Sequence, residues 1–205
     1  MCGRYTLYHD EEDLTTLFEL DTFEPVRRYN IAPTQVVPIV RAADGARERL
    51  DARWGLLPRW VKDPSTFKTL LFNARAETAA EKPSFRDAMR RNRCAVPASG
   101  FYEWAKRDGT KRPHHVVRRD GAPMILAGLY AVHPEVGATF AVLTTSPNAR
   151  MQEIHDRMPV ILEPGDLERW LDPRNDDTEA LADLLQPIAS EELELYEVGK
   201  GVGNA

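Results

Sequence analysis

A series of short apolar stretches joined by tight-turn sequences, in the middle of the chain, most strongly constrains the fold. Val36 to Arg41 and Arg47 to Trp54 flank Ala43-Asp44-Gly45, and Asp120-Gly121 lies between two further apolar stretches. Asp-Gly between such stretches is a strong β-hairpin signal, because the turn needs residues that tolerate a positive φ. The sequence therefore predicts two hairpins and a centre built from antiparallel strands.

Further strands and helices are predicted on either side of these hairpins. Apolar runs predict strands over Arg93 to Trp104, with a bend at Gly100, and over Arg157 to Leu162. Asp10 to Leu20 has the apolar spacing of a helix, and Ser84 is a suitable N-cap for a short basic helix through Arg91. Acidic helices are expected at 166–171 and 177–185.

The length and the order of these elements predict the fold class. A chain of 205 residues fits one domain, 1–205, with an acidic helical part from about residue 163. We expect an α+β fold, with central and mostly antiparallel, barrel-like sheets flanked by helices.

Composition and charge narrow the class of protein. Hydrophobic residues at 42% and charged residues at 29% are ordinary for a soluble globular protein. Asp10, Glu11, Glu12 and Asp13 stand where a signal peptide would need an apolar run, so we expect an intracellular protein. The net charge of −5 combines a basic body over 1–159 with an acidic part over 160–205, and a basic body suits a polyanionic ligand.

Cys2 directly follows the initiator methionine, so removal of Met1 would leave one residue with a free α-amine and a thiol. Their ordinary pKa values, about 7.7–8.0 and about 8.5, keep both groups partly nucleophilic near neutral pH. The amine can condense with an aldehyde to an imine, and the thiol can close on the same carbon to a thiazolidine with little further loss of entropy. The alternative is that Cys2 is simply a small residue compatible with methionine removal.

Four local clusters combine polar, reactive and aromatic residues. They are Cys2-Gly3-Arg4-Tyr5, Asn73-Ala74-Arg75-Ala76-Glu77, Gly100-Phe101-Tyr102-Glu103-Trp104 and His155-Asp156-Arg157-Met158-Pro159. Taken singly, each cluster has an ordinary structural interpretation, such as a turn cap at Asn73 or a satisfied loop histidine at His155. Together they supply the amine of Cys2, proton transfer by Glu103 and His155, and a donor at Asn73.

Other residues in these clusters suit a nucleic acid. Arg4, Arg75 and Arg157 would add cationic groups for phosphates, and Trp60 and Trp104 can stack on bases. The combined inventory predicts chemistry on an aldehyde within a nucleic acid.

Two further segments extend this pattern over nearly the whole chain. In addition to the four clusters they are Arg28-Tyr29-Asn30-Ile31-Ala32-Pro33 and Trp54-Gly55-Leu56. In this content and order the chain resembles the SOS-response-associated peptidase family, the abasic-site processing proteins. The resemblance implies a DNA-damage-response protein that binds single-stranded DNA and forms a thiazolidine crosslink with an abasic site through Cys2.

The resemblance also implies roles for individual residues. The family's catalytic positions match Cys2, Asn73, Glu103 and His155. Positions lining its DNA groove match Arg4, Asn30, Pro33, Trp60, Arg75 and Glu77, to which we add Trp104 and Arg157 as candidate DNA-binding residues. The word peptidase reflects removal of the residue before Cys2, so we expect a self-processing cysteine peptidase with lyase-type chemistry at abasic sites.

The expected partner is single-stranded DNA with abasic sites. The resemblance implies no cofactor, no metal and no membrane, and we expect a cytoplasmic monomer that is nucleoid-associated when it binds DNA.

Three other functions stay open at this point. An N-terminal-nucleophile amidohydrolase would also expose Cys2, but it needs an Asn-Gly oxyanion segment, and no Asn-Gly dipeptide occurs in the sequence. A peptidase acting on other proteins would use Cys2 and His155 in a peptide-sized cleft. A non-catalytic single-stranded-DNA-binding module would use the clusters only to shape a groove.

Overall fold

The computed structural model of the protein describes residues 2–24 and 26–203, so the predicted removal of Met1 lies outside the described residues. The α-helices are α1 (Glu11–Phe18), α2 (Ala76–Ala79), α3 (Arg86–Arg91), α4 (Ala149–Gln152) and α5 (Leu167–Leu171). The strands are β1 (Tyr5–Leu7), β2 (Arg28–Ile31), β3 (Val36–Ala43), β4 (Ala46–Trp54), β5 (Asn73–Arg75), β6 (Arg93–Ala98), β7 (Gly100–Arg107), β8 (Thr110–Arg118), β9 (Met124–His133), β10 (Gly137–Thr145), β11 (Met158–Pro159), β12 (Ile161–Leu162) and β13 (Leu193–Glu197). Short 3-10 helices cover Pro64–Thr66, Pro164–Asp166, Glu179–Leu185, Ser190–Glu192 and Lys200–Gly203.

The described strands form two sheets. The smaller sheet is antiparallel, in the order β13-β8-β7-β1-β2. The larger sheet runs β11-β10-β4-β3-β6-β9-β12, and an additional pairing of β10 with β9 closes β10, β4, β3, β6 and β9 into a ring. The pairs β10–β4 and β10–β5 are parallel, and the other pairs are antiparallel. The α+β, barrel-like fold is therefore confirmed.

Trp54, at the end of β4, lies in the centre of the hydrophobic core. It is fully buried, it stacks on Phe140 with a centroid distance of 6.1 Å, and it meets Tyr5 edge-on at 5.2 Å. Its indole N–H donates to Phe72 O at 2.8 Å, so the polar atom is satisfied in the core. Because Tyr5 lies on β1 and Trp54 on β4, this contact joins the two sheets and places the Cys2 segment against the closed ring.

Helix α1 closes the core near β2. Asp10 accepts the Asp13 N–H at 3.0 Å as the N-cap, and Glu19 ends the helix in the left-handed conformation. Leu14 and Phe18 are fully buried, and burial of each side chain contributes about 1.5–3 kcal/mol. The predicted helix over Asp10 to Leu20 is confirmed with slightly shorter bounds.

The first predicted hairpin is correct and the second is wrong. Strands β3 and β4 pair around Asp44 and Gly45, whose φ values are 50° and 82°. Asp120-Gly121 instead connects strands of different sheets, because β8 pairs with β7 and β13 whereas β9 pairs with β6, β10 and β12. The β7–β8 hairpin turns at Asp108-Gly109. A turn signal is local, whereas the choice of pairing partner depends on which sheet buries each strand.

Two predicted single strands are in fact divided. Arg93 to Trp104 breaks at Ser99, whose Oγ accepts the N–H groups of Tyr8 and His9 at 2.8 and 3.2 Å. Arg157 to Leu162 breaks at Val160, which donates to Leu143 O at 2.9 Å. At Ser99 the chain passes from β6 in the larger sheet to β7 in the smaller sheet. At Val160 it passes from β11, which pairs with β10, to β12, which pairs with β9.

The helix predictions in the basic and acidic segments also need correction. Helix α3 has Phe85 at its N-cap with no side-chain cap, because the Phe85 N–H donates to Lys82 O and a preceding turn replaces the expected Ser84 cap. The acidic part contains α5, but the segment Glu179–Leu185 is a 3-10 helix and Leu193–Glu197 is a strand. Among the described residues no helix is both long and apolar enough to span a membrane.

Four side chains, which we call the His115 cluster, contact one another on one face of the smaller sheet: Thr6, Tyr102, His115 and Tyr196. The ring of His115 lies 3.1 Å from Thr6 Oγ1 through Nε2 and 2.7 Å from Tyr196 Oη through Nδ1, and its centroid is 4.7 Å from that of Tyr102. A Cβ on Gly100 would lie 2.6 Å from His115 Nε2, so the absence of a side chain there makes room for the ring. Burial lowers the pKa of His115 to about 4, and the ring is neutral near pH 7.

Candidate active site

Cys2 is held in place just before β1. Its side chain is fully buried, and Sγ lies 4.0 Å from Arg4 O. Asn73, the first residue of β5, donates from Nδ2 to Cys2 O at 2.8 Å. Strand β5 is itself fixed by parallel pairing with β10. The structure thus brings two of the predicted catalytic residues, 71 positions apart, into direct contact.

Glu103 supplies a buried carboxyl group next to Cys2. It lies on β7, opposite His114 in β8, and is only 2% exposed. Burial raises the pKa of this carboxyl above its ordinary value, and the proximity of His155 lowers it in part. A carboxyl group with a raised pKa can both hold and accept a proton near neutral pH, which is the property that general acid–base catalysis needs.

The Cys2 thiol is in an environment that disfavours the thiolate. Burial raises its pKa well above the ordinary value, and the nearby Glu103 charge raises it further. The sequence alone suggests a thiol partly ionised near neutral pH, and the structure corrects this: the buried group is a neutral thiol. Any nucleophilic step at sulfur therefore needs a base to accept the S–H proton during the attack.

His155 lies in the loop between α4 and β11, close enough to Glu103 to influence its pKa. Its Nδ1 is 3.0 Å from the backbone nitrogen of Arg157, whose N–H donates to it. The same Nδ1 lies 2.9 Å from Asp156 Oδ1, a carboxylate that is largely exposed. The structure thus brings Cys2, Asn73, Glu103 and His155 close together, and their catalytic roles stay predictions.

Arg157 and Glu77 form a bidentate ion pair next to this site. Arg157 Nη1 donates to Glu77 Oε1 at 2.6 Å, and Nη2 donates to Glu77 Oε2 at 2.8 Å. Arg157 Nη2 also donates to Thr144 O at 2.5 Å. The pair lowers the pKa of Glu77, which stays ionised. These two candidate DNA-binding residues are thus engaged with each other.

Arg4 and Asn30 contact the C-terminal segment. Arg4 Nη2 donates to Gly203 O at 3.3 Å, and Asn30 Nδ2 donates to Val202 O at 3.3 Å. Arg4 Nε is buried and has no hydrogen-bond partner within the described ranges. Both side chains are half-buried, so the tail covers part of the surface on which they lie.

The other candidate DNA-binding residues differ in exposure. Arg75 is exposed at the end of β5, directly after Asn73 and Ala74, whereas Pro33 and Trp104 are half-buried. Trp60 is 56% exposed, and its ring is held by a hydrogen bond to Pro83 O at 3.2 Å and by edge-on contact with Phe67. Arg75 and Trp60 therefore present an exposed cation and a fixed aromatic face to solvent.

Two further observations concern metal ligands and cavities. Within the part of the chain that the structure describes, no three His, Cys, Asp or Glu residues converge as metal ligands. A cavity of about 620 Å³ lies at the β3–β4 turn, between Arg47 and Arg174, and none of the four candidate catalytic residues lines it.

Sequence reasoning missed Thr144 and the tail residues Val202 and Gly203. Thr144 lies at the end of β10, where its carbonyl binds Arg157 and its hydroxyl donates to Ala74 O at 3.4 Å. A threonine in an apolar strand carries no signal for such a role. The tail contacts use backbone carbonyls, which every residue possesses, so the sequence could not have marked them.

Comparison with known proteins identifies relatives of this chain in sequence and in fold. An abasic site processing protein of Bacillus subtilis, YoqW, is 41% identical over 215 residues that cover all of this chain and 95% of the relative. YedK of Escherichia coli, also named an abasic site processing protein, is 31% identical and covers 83% of this chain and 79% of its own length. A crystal structure of a protein from Bordetella bronchiseptica, 27% identical, superposes with a TM-score of 0.84 over 97% of this chain and 100% of that one.

A family model extends the match to the complete sequence. The model, described as SOS response associated peptidase (SRAP), matches residues 1–205. The chain belongs to the SOS response associated peptidase family.

Proposed function

We propose that this protein processes abasic sites: after Met1 is removed, it captures the open-chain sugar aldehyde in single-stranded DNA through Cys2. The observation that carries the proposal is the fixed position of Cys2, whose carbonyl oxygen accepts a hydrogen bond from Asn73 and whose thiol lies close to the buried Glu103. Family membership and relatives named abasic site processing proteins support the choice of substrate.

The chemistry begins at the Cys2 nitrogen. The amine adds to the C1′ aldehyde of the opened deoxyribose, and the resulting carbinolamine loses one water to give an imine. The thiol then adds across the C=N bond, so that sulfur bonds to carbon and the S–H proton ends on nitrogen. The net reaction joins protein and DNA as a thiazolidine and releases one water.

The environment of Cys2 sets the order of these steps. Because burial keeps the thiol protonated, sulfur is a poor first nucleophile, whereas the amine needs only to be neutral. Glu103 is the group placed to move protons, first to the departing hydroxyl and then from the thiol. Asn73 would donate to the sugar oxygen, and His155 would assist proton transfer.

Recognition of the strand would use the exposed groups around the site. Arg75 lies two residues beyond Asn73, so a phosphate next to the abasic sugar would meet a cation there. Trp60 offers a fixed aromatic face, and stacking of one base contributes about 1–3 kcal/mol. Arg4, Asn30, Pro33 and Trp104 would line the same groove, whereas Arg157 and Glu77 are engaged with each other behind it.

We propose that the peptidase activity in the family name is removal of Met1 by the protein itself. The Cys2 thiol would attack the Met1 carbonyl carbon, with Glu103 accepting the S–H proton and returning it to the departing nitrogen as the C–N bond breaks. Water would then hydrolyse the resulting thioester, which releases methionine and restores the thiol. The full burial of the Cys2 side chain favours this internal reaction over cleavage of other proteins.

The test is covalent capture of a defined oligonucleotide. The purified chain is first weighed by intact mass spectrometry to establish that Met1 is absent. It is then incubated with a single-stranded oligonucleotide that carries one abasic site. We expect a heat-stable, shifted band on a denaturing gel, and no band with the undamaged oligonucleotide. A protein with Met1 verifiably absent that gives no band would refute the proposal.

Two variants separate chemistry from binding. We expect Glu103→Gln and His155→Ala to slow crosslinking by about 100-fold. This value is the lower end of the contribution that a general acid–base group usually makes. Affinity for the undamaged single strand, measured by fluorescence anisotropy, should change less than about twofold, because neither side chain is needed for phosphate contact. Equal losses in affinity and rate would instead indicate that these residues only shape the groove.

A further inference from the structure

The Glu77–Arg157 ion pair joins the two chain segments that carry Asn73 and His155. Glu77 lies in α2, four residues after Asn73, and Arg157 lies two residues after His155. The two carboxylate oxygens meet two guanidinium nitrogens at 2.6 and 2.8 Å. The ion pair joins segments that are 80 residues apart in the sequence and that both lie beside β10.

The hydrogen bonds of Arg157 point to an internal role rather than to phosphate binding. Its side chain is 14% exposed, and Nη2 is shared between Glu77 and the carbonyl of Thr144. Its Nε is buried with no hydrogen-bond partner among residues 2–24 and 26–203. A guanidinium with most of its donors used or enclosed has little left to offer a phosphate.

Arg157 acts on His155 through the backbone. The Arg157 N–H donates to His155 Nδ1 at 3.0 Å, so the proton of the neutral ring belongs on Nε2. Asp156 competes for the same nitrogen at 2.9 Å, but only when Nδ1 carries a proton. Whatever fixes the backbone of Arg157 therefore fixes which nitrogen of His155 carries the proton.

The half-exposed position of Glu77 makes stability a poor explanation for this pair. Glu77 is 50% exposed, and ion pairs of this kind contribute about 0–1 kcal/mol to folding. Bidentate pairing fixes orientation more strongly than it stabilises the fold.

We propose that Glu77 is a positioning residue: it holds Arg157, whose N–H bonds His155 Nδ1, so that His155 carries a proton on Nε2 and stays close to Asn73 and Cys2. The consequence for the reaction rests on the proposed function. Glu77 itself need not touch DNA, and as an anion it would repel phosphates from the position it occupies.

The test compares Glu77→Gln, which keeps the shape and removes the charge, with Glu77→Asp, which keeps the charge. Single-turnover crosslinking is measured at saturating abasic oligonucleotide, and affinity for the undamaged strand is measured separately. We expect Glu77→Gln to slow crosslinking by about 10–100-fold, as small displacements of catalytic groups do, and Glu77→Asp to recover most of the rate. Affinity should stay within about twofold, or rise slightly because a negative charge is lost.

A spectroscopic signature reports on His155 without any reaction. The 15N shifts of its ring nitrogens distinguish the Nε2–H from the Nδ1–H form, and we expect a mixture in Glu77→Gln and one form in the wild type. Glu48→Gln is the matched control, because it breaks the Arg41–Glu48 pair of 2.7 Å on β3 and β4. It should change neither rate nor ring signature.

Several outcomes would overturn the proposal. They are an unchanged rate and ring signature in Glu77→Gln, a loss of rate matched by an equal loss of affinity, and a lower melting temperature with an unchanged ring signature. If the wild type forms no crosslink, the proposed function fails, and the ring signature alone still decides whether Glu77 positions His155.

Discussion

At the scale of single residues, the amine and the thiol of Cys2 lie in different environments. The side chain is buried beside Glu103, and this burial keeps the sulfur protonated. The nitrogen, in contrast, becomes a free amine as soon as Met1 is removed. In the proposed reaction, the amine therefore decides whether a bond to DNA forms, and the thiol decides whether that bond lasts.

The variant Cys2→Ser tests this division. Its Met1 is removed with added methionine aminopeptidase and its absence is checked by intact mass, because the proposed self-processing needs the thiol. The variant then keeps the amine but replaces sulfur with a much weaker nucleophile, so the imine should form and fail to close. We expect the heat-stable band to fall at least about 100-fold, equivalent to about 2.7 kcal/mol, while borohydride still traps a covalent product. Equal yields of heat-stable band from Cys2→Ser and the wild type, without borohydride, would contradict it.

At the scale of elements, the His115 cluster fastens β1, β8 and β13 together on one face of the smaller sheet. Thr6, His115 and Tyr196 supply one side chain from each strand. Since β1 follows Cys2 directly, this fastening also holds the site in place.

Gly100→Ala tests whether the close approach in this cluster matters. The new Cβ would lie 2.6 Å from His115 Nε2 and 2.6 Å from Val116 O, and the second atom is backbone that cannot swing away. We expect a loss of about 1–3 kcal/mol in the free energy of unfolding, measured by urea titration. Gly165→Ala is the control, because a Cβ there meets nothing within 4 Å. Equal stability of both variants would show that β7 shifts freely.

The pH dependence of stability gives a second test at this scale. Burial lowers the pKa of His115 from 6.5 to about 4, so the unfolded chain binds the proton first. The free energy of unfolding therefore has its full value above pH 6.5 and falls by up to about 3 kcal/mol as the pH falls toward 4. We expect His115→Gln to lose less stability than the wild type over that range. An NMR titration that finds an ordinary pKa for His115 would rule this out.

At the scale of the whole molecule, the distribution of charge matters more than the net value of −5. The acidic C-terminal part uses its charge internally, as in the pairs Arg118–Glu192 at 3.4 Å and Arg169–Asp183 at 2.6 Å. Exposed cations such as Arg75 remain available on the body of the protein. An acidic protein can therefore still attract a polyanion locally.

The salt dependence of DNA binding tests this arrangement. We expect Arg75→Gln to weaken binding to single-stranded DNA and to reduce the slope of log K against log salt by about 0.7, the contribution of one phosphate contact. Arg174→Gln is the control, since Arg174 is exposed and paired with Asp172 at 2.9 Å in the acidic part. If the control lowers the slope equally, the binding surface lies elsewhere.

Much of the candidate site was predictable because its residues occur in short clusters, and chemistry is encoded by residue type. What sequence could not predict is pairing over long separations. The contact of Asn73 with Cys2 and the grip of Glu77 on Arg157 depend on how β5 and β10 align. The same limit explains the hairpins: Asp120-Gly121 marks a turn correctly, but only the burial of whole strands determines that β8 and β9 enter different sheets.

The hydrogen bond from Arg4 to Gly203 brings the tail within two residues of Cys2. A label attached at Gly203 would therefore lie close to Arg4, and any group left on the Cys2 nitrogen would block the amine that the proposed reaction uses. Labelling for biophysical work is better placed at the exposed Asp108 of the β7–β8 turn, because Gly109 has a φ of 72° that a side chain would strain.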